Sequence, residues 1–210
     1  HYLTGDDLKI INLIGRQSPE IAKGVNRDDC DCIGAGDQGF MVGMATNETT
    51  EYIPLGVYLA RNICQGIARM EGFGPDVKTQ VSIDYSDDEP KVVAIVVSTM
   101  HKERFDVDVV RKLIKNAIMR NVVNGEPFID DYIHSKLIKC NDKIRYFINA
   151  NGEWLVGGPI SDCGVTGRKI VVDNYGGYCN VAGGAYSGKD MSKVDRSGAY
   201  MCRYLAKNIV

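Results

Sequence analysis

The sequence predicts an α+β fold with mixed, partly antiparallel sheets. Two observations predict it. Val77, Thr79, Val81, Ile83 and Tyr85 alternate with polar residues, and the apolar run Lys91 to Thr99 returns after a turn at Ser86 to Pro90. Period-two alternation closed by a short turn specifies neighbouring antiparallel strands. Leu55, Leu59, Ile63 and Ile67 instead recur every four residues, and Val107, Val110, Ile114 and Ile118 follow a similar spacing. That is the period of helices with one apolar face. A strand hairpin set among helices, without strict βαβ alternation, reads as α+β.

Composition bounds the function. A chain of 210 residues makes one or two domains, and 44% hydrophobic residues suffice for a packed core. A net charge of −2 and no long basic run argue against nucleic-acid binding. No apolar run reaches membrane-spanning length, and HYLTGDDLKI is no secretory signal. The absent initiator Met and the apolar end Ile209-Val210 suggest a piece of a longer chain. There are seven cysteines and three histidines. No C-x-x-C pair occurs, and Cys30 and Cys32 are too close for a usual zinc knuckle. Reduced thiols and a cytoplasmic location are expected.

In chain order, residues 7–14 are a short apolar segment, helix or strand. GRQSPEIAKGVNRDDCD then reads as a mobile loop, long enough for a lid. Gly34, Gly36 and Gly39 match the dinucleotide fingerprint, but NRDDCDCI before them is no apolar strand, so a Rossmann fold is rejected. Asp37 and Gln38 remain as polar groups on a glycine-permitted backbone, facing a polar ligand. Pro54 suits a first helical turn, and the helix runs to about Met70, ended by Gly72 and Gly74-Pro75. The hairpin follows, then a helix from about Asp106. Asn124-Gly125 breaks the chain. Arg145 to Ile148 and Trp154 to Val156 read as short strands, and Lys169 to Tyr175 as a buried one. The last helix, about Ser197 to Ile209, should bury Ala199, Cys202, Ala206 and Ile209.

Between those last two elements lies GGYCNVAGGAYSGKDMSKVD, residues 176–195, with five glycines, two lysines and two aspartates. Glycines let backbone N–H groups approach a ligand, lysines neutralise phosphate, and a nearby carboxylate can hold Mg²⁺. The pattern suits a polyphosphate. Gly183-x-x-x-x-Gly188-Lys189 fits most of a P-loop, but Asp190 replaces the required Ser or Thr, and Gly176 to Ala182 separate the motif from the expected strand. An ordinary P-loop is disfavoured.

Five segments in one order, IGRQSPEI, GAGDQGFMVGMATNET, GPDVKTQV, INANGEWLVGGPISDCGVTGRKIVVDNYGG and GGAYSGKDMSKVDRSGAY, resemble the S-adenosylmethionine synthetase (methionine adenosyltransferase) family. The resemblance implies repeated α/β domains with helices packed on one face. Residues 1–30 would end the first domain, 31–157 form the central one, and 158–210 begin the third. It also implies that a His-Pro-Asp segment, bringing a histidine, a Mg²⁺ ligand and further on a K⁺ ligand, belongs before His1. Implied ATP contacts are Asp76, Val77, Lys78, Trp154 in place of the usual stacking Phe, Asp162, Arg168, Lys169, Ala185 and Lys189. Implied methionine contacts are Gln17, Asp37 from a partner subunit, Asp162 and Lys193. Asp195 would be a Mg²⁺ ligand.

Three departures stand out: Glu153 where Arg is common, Val181-Ala182 for His-Gly, and Cys140-Asn141-Asp142 without a familiar pattern. The implied reaction joins ATP and L-methionine, with Arg168, Lys169, Lys189 and Mg²⁺ stabilising the departing triphosphate, which is then hydrolysed to pyrophosphate and phosphate. The implied assembly is a homodimer or tetramer with shared sites. Two other functions compete: a non-catalytic regulatory or remnant chain of such an enzyme, and an unrelated P-loop phosphotransferase.

Overall fold

The computed structural model describes residues 8–26, 33–139 and 141–210. Cys30, Cys32 and Cys140, and the start of the chain, lie outside the described residues. The chain divides into two compact units. The first is Leu55–Cys163; the second joins the described residues up to Pro54 with Gly164–Val210.

The first unit is built on a three-stranded mixed sheet of order β1-β2-β3. β1 (Phe73–Asp84) and β2 (Lys91–His101) form the expected antiparallel hairpin. β3 (Arg145–Ile148) pairs with β2 in parallel. β1 begins earlier than the periodicity suggests. Gly74-Pro75, read as a helix stop, lies in a register irregularity between Phe73 and Val77, and a bulge is where a strand tolerates proline.

α2 (Leu55–Ala68) packs on β1, and α3 (Val107–Arg120) packs on β3. Both helices cover one sheet face. Leu59, Ile63, Ile114 and Ile118 are fully buried, as are Ile95, Val97 and Thr99 on the strand beneath. Thr79 Oγ1 donates to Ala60 O at 2.7 Å, tying β1 to α2. On the other face Val96 sits opposite Phe147, which is 43% exposed. Among the described residues of the first unit, α2 and α3 therefore cover one of the two apolar faces of β2.

α3 starts at Asp106, whose side chain caps the N–H of Asp108 at 2.7 Å, and stops at Asn121 in the left-handed region (φ 53°). Asn121 is buried and makes three side-chain bonds: Oδ1 accepts from Phe128 N and Ile129 N, and Nδ2 donates to Ile129 O. This brings in α4 (Asp131–Lys139), a helix absent from the sequence reading, which buries Ile133 and Leu137. Asp130 caps it through Tyr132 N and Ile133 N. Trp154–Val156 is not a strand, although His101 N donates to Trp154 O at 2.9 Å.

The second unit contains no strand among its described residues. Residues 8–18 have no regular structure and are exposed, so the apolar segment is neither helix nor strand. The expected loop after it contains α1 (Pro19–Val25), capped by Ser18, whose Oγ accepts from Ile21 N, with Pro19 at the first turn. Lys169–Tyr175 is not a buried strand. Its centre is the four-residue helix α5 (Ile170–Asp173), with no buried residue. Isolated β-branched runs depend on a sheet to bury them, and here Val172 is 77% exposed.

α6 (Val194–Ile209) starts three residues before the expected Ser197. Ala199, Cys202 and Ala206 are only half-buried and Ile209 is 84% exposed, so the expected burial of that face is not found. The helix carries the irregular segment before Tyr52 on its side. A Cβ at Gly43 would lie 2.2 Å from the Cys202 carbonyl, so only glycine fits there. Arg203 donates to Met44 O, Glu51 O and Tyr52 O at 2.7–2.8 Å.

Candidate functional site

Two groups of sequence-predicted residues assemble, one in each unit, and each is described by itself. In the first unit the centre is the turn at Gly157-Gly158. Asp76 Oδ2 accepts the N–H of Gly158 at 2.7 Å. Lys78 lies two residues further along β1, and its ammonium stands 5.4 Å from the Trp154 ring centroid. The indole Nε1–H donates to Val156 O at 2.7 Å, fixing the ring edge. Asp162 is exposed, and its N–H donates to Gly158 O at 3.0 Å. Val77 contributes backbone: its carbonyl accepts the Cys64 thiol at 3.5 Å. Asp76, Lys78, Trp154 and Asp162 thus share one turn, with a half-buried aromatic face beside a cation. Such a face can stack on a flat ring.

In the second unit the glycine loop folds over the start of α6. Lys189 Nζ pairs with Asp195 Oδ2 at 2.6 Å, and both side chains are about one-third exposed (37% and 30%). The Asp195 carboxylate sits against Gly184, where an added Cβ would be 2.5 Å from Oδ1. Lys193 Nζ donates to Gln17 Oε1 and to Ser192 Oγ, each at 3.0 Å, and lies 3.5 Å from Asp190 Oδ2. Ser192 donates from both its hydroxyl and its N–H to Asp190, and this holds the Asp190 carboxyl below its usual range. Gln17 and Lys193, 176 residues apart in sequence, therefore meet.

The turn carrying Arg168 and Lys169 packs on the same loop. A Cβ at Gly167 would lie 3.2 Å from the Ala185 Cβ, and one at Gly188 would lie 2.9 Å from Thr166 Cγ2. Arg168 and Lys169 are themselves exposed. Asp37 is exposed, and its Oδ1 accepts from its neighbour Gln38 N at 2.7 Å. Sequence reasoning missed Arg196. Its guanidinium donates to Lys189 O and stands over the Tyr200 ring at 5.4 Å. Its place directly after Asp195 was the available signal.

The chemistry of these groups is electrostatic. The loop presents cations and glycine-permitted backbone to an anion, and a phosphate chain is the anion such a set fits. Among the described residues no three His, Cys, Asp or Glu side chains gather to hold a metal. Cys64, Cys163, Cys179 and Cys202 are free thiols, and burial pushes those of Cys64 and Cys179 up. Among the described residues no helix is long and apolar enough to cross a membrane.

Comparison with known proteins identifies the architecture. Residues 32–154 match the S-adenosylmethionine synthetase central domain, and residues 156–210 match the C-terminal domain of the same family. The S-adenosylmethionine synthase of Kosmotoga olearia is 44% identical over 222 residues, covering 98% of this chain and 53% of that protein. That of Mycoplasmopsis pulmonis is 44% identical over 214 residues, covering 99% and 54%. An S-adenosylmethionine synthetase structure from Campylobacter jejuni, described as unusual, superposes with a TM-score of 0.76 at 35% identity, covering 97% of this chain and 50% of that one. The chain spans about half the length of the curated relatives it matches. With both family domains matched in order and relatives of 44% identity over nearly its whole length, the chain belongs to the S-adenosylmethionine synthetase family.

Proposed function

We propose that this chain is the central and C-terminal part of a methionine adenosyltransferase, which forms S-adenosylmethionine from ATP and L-methionine. The observation that carries this reading is the 2.6 Å Lys189–Asp195 pair on a glycine loop packed against the turn that bears Arg168 and Lys169. The division into residues 1–30, 31–157 and 158–210 belongs to the same reading, as does a cytoplasmic homodimer or tetramer with shared sites.

Methionine sulfur is already a good nucleophile and needs no general base. It attacks C5′ of ATP, the C5′–O bond breaks, and the electron pair leaves on the triphosphate. The barrier is the charge gathering on that leaving group. Arg168, Lys169 and Lys189 meet it as fixed cations, which is stabilisation by preorganised electrostatics. Gln17 and Lys193 hold methionine in the second unit, with Asp37 of a partner subunit. In the first unit Trp154 stacks on adenine, Asp76, Val77 and Lys78 line the nucleotide, and Asp162 takes the ribose or the methionine ammonium. The triphosphate is then hydrolysed to pyrophosphate and phosphate.

Asp195 suits Mg²⁺. It is one carboxylate between an ammonium and a bare glycine backbone, and Mg²⁺ is ordinarily held by one or two carboxylates, phosphate oxygens and water. When bound, Mg²⁺ supplies positive charge at the phosphate oxygens. K⁺ is proposed from the resemblance alone.

The test is to supply ATP, L-methionine, Mg²⁺ and K⁺ and to assay S-adenosylmethionine by mass spectrometry. Two proteins are compared: residues 1–210, and a protein carrying them behind a His-Pro-Asp segment. The longer protein is expected to turn over, and residues 1–210 to bind ATP weakly and form no product. Failure of the longer protein would leave the non-catalytic reading, a regulatory or remnant chain.

A further inference from the structure

We infer that Arg196 is a positioning residue that sets the direction of Lys189. The inference rests on reading the glycine loop as a triphosphate site. Lys189 is gripped at both ends by consecutive residues of α6. Asp195 takes its ammonium at 2.6 Å, and the Arg196 guanidinium donates to its backbone carbonyl. A flexible lysine aims its charge well only if the backbone beneath it is fixed, and a positioned cation is what a developing anion requires.

Side-chain packing fixes only part of the loop, where Gly184 meets Asp195 and Gly188 meets Thr166. Behind the loop lies a cavity of about 300 Å³, lined by Asp173, Tyr186, Ser187, Gly188, Arg196 and Tyr200. A loop backed by empty space has room to shift, so polar ties must hold it. Two run across this cavity wall. The Tyr186 hydroxyl donates to Asp173 O, and Arg196 reaches Lys189 O. The arginine is braced in turn: its guanidinium stands 5.4 Å from the Tyr200 ring centroid, and Tyr200 meets Tyr186 edge-on at 6.1 Å.

The arrangement has a cost. Arg196 Nε is buried without a hydrogen-bond partner among the described residues. A buried donor left unpaired is rare and calls for a reason. Here the fork is turned to serve the Lys189 carbonyl and the Tyr200 face at the expense of Nε. A lysine offers no flat fork, so it cannot reach the carbonyl and lie on the ring together.

The test uses calorimetric titration of residues 1–210 with inorganic tripolyphosphate and Mg²⁺, with thermal melts to establish folding. Lys189→Ala is expected to weaken binding about tenfold, and Arg196→Met by about as much in protein that melts cooperatively. The double variant should bind no worse than the weaker single one, because residues acting as one unit are non-additive. Arg196→Lys should restore only part of the affinity. Wild-type affinity in Arg196→Met, or in Arg196→Lys should the first not fold, overturns the inference while leaving the site reading intact. Additive losses in the double variant overturn it too, since Arg196 would then touch the anion itself. If Lys189→Ala binds like wild type, the site reading fails, and this inference with it.

Discussion

The carboxylate of Asp76 accepts the backbone N–H of Gly158 at 2.7 Å, so β1 holds the turn that follows Trp154. A hydrogen bond to a charged group contributes about 1.5–3 kcal/mol. Asp76→Ala should therefore destabilise the first unit by roughly that amount in urea titrations. It should also free the only tryptophan. Emission from Trp154 is expected to shift red, and quenching by ATP to weaken. An unchanged spectrum and an unchanged ATP titration would remove Asp76 from its anchoring role.

Lys189→Ala is expected to act on kcat rather than KM in a protein with the complete site. The ammonium meets charge that grows only as the triphosphate leaves. Losing one such donor costs about 2.7–4 kcal/mol when it resembles an oxyanion-hole contact. Steady-state kinetics showing only a raised KM for ATP would contradict that role.

Asn149 is buried, and its amide exchanges two bonds with the Thr99 backbone, accepting from N at 2.9 Å and donating to O at 3.0 Å. Asn149→Leu removes both and strands a buried peptide N–H. The expected cost is about 1–3 kcal/mol for that unsatisfied group. Chemical denaturation of the chain measures it directly.

Burial, and then the charge of Asp173, pushes the Tyr186 hydroxyl up from 10 to about 12. A raised folded-state pKa gives stability that is whole below the unfolded value and is lost as pH rises through the folded one. The Tyr186 contribution should thus persist below pH 10 and disappear by about pH 12. Denaturant midpoints followed across that window should fall less steeply for Tyr186→Phe than for wild type.

The open sheet face carries Val96 opposite Phe147. A strand apolar on both faces needs cover on both, and a second copy of the chain is the proposed cover. Light scattering at micromolar concentration should report a dimer, and Phe147→Glu should shift it toward monomer. A clean wild-type monomer would exclude this interface for residues 1–210.

Local physics made part of this structure readable. The Leu55–Ile67 stripe, the Val77–Thr99 hairpin and the Asp106 cap follow from side-chain periods and short-range bonds, and they appear close to where the residues put them. α1 was read as a loop: Ser18-Pro19-Glu20 is a helix-start signature, but the surrounding glycines and charges obscured it. Lys169–Tyr175 misled for a different reason: a β-branched run becomes a strand only beside other strands, and no strand occurs among the described residues of the second unit. α4 was missed because its start depends on Asp130 and on the Asn121 amide, a tie between residues eight apart in sequence. In the site, Gln17 and Lys193 were named from resemblance, and their contact spans 176 positions that no local pattern connects. Arg196 was overlooked because its place directly after Asp195 was the only sequence signal, and a guanidinium serving a backbone carbonyl adds none.

Arg203 holds the carbonyls of Met44, Glu51 and Tyr52 across 159, 152 and 151 residues of chain. During synthesis those carbonyls emerge long before their arginine. At typical translation rates of about 5–20 residues per second the wait is roughly 10–30 s. The sheet and helices of the first unit, one continuous stretch, are all made in that interval. The segment around Gly43 meanwhile has nothing to lie on. Newly made chain should therefore be most open to proteases and chaperones between Gly34 and Pro54, and that vulnerability should end when α6 leaves the ribosome.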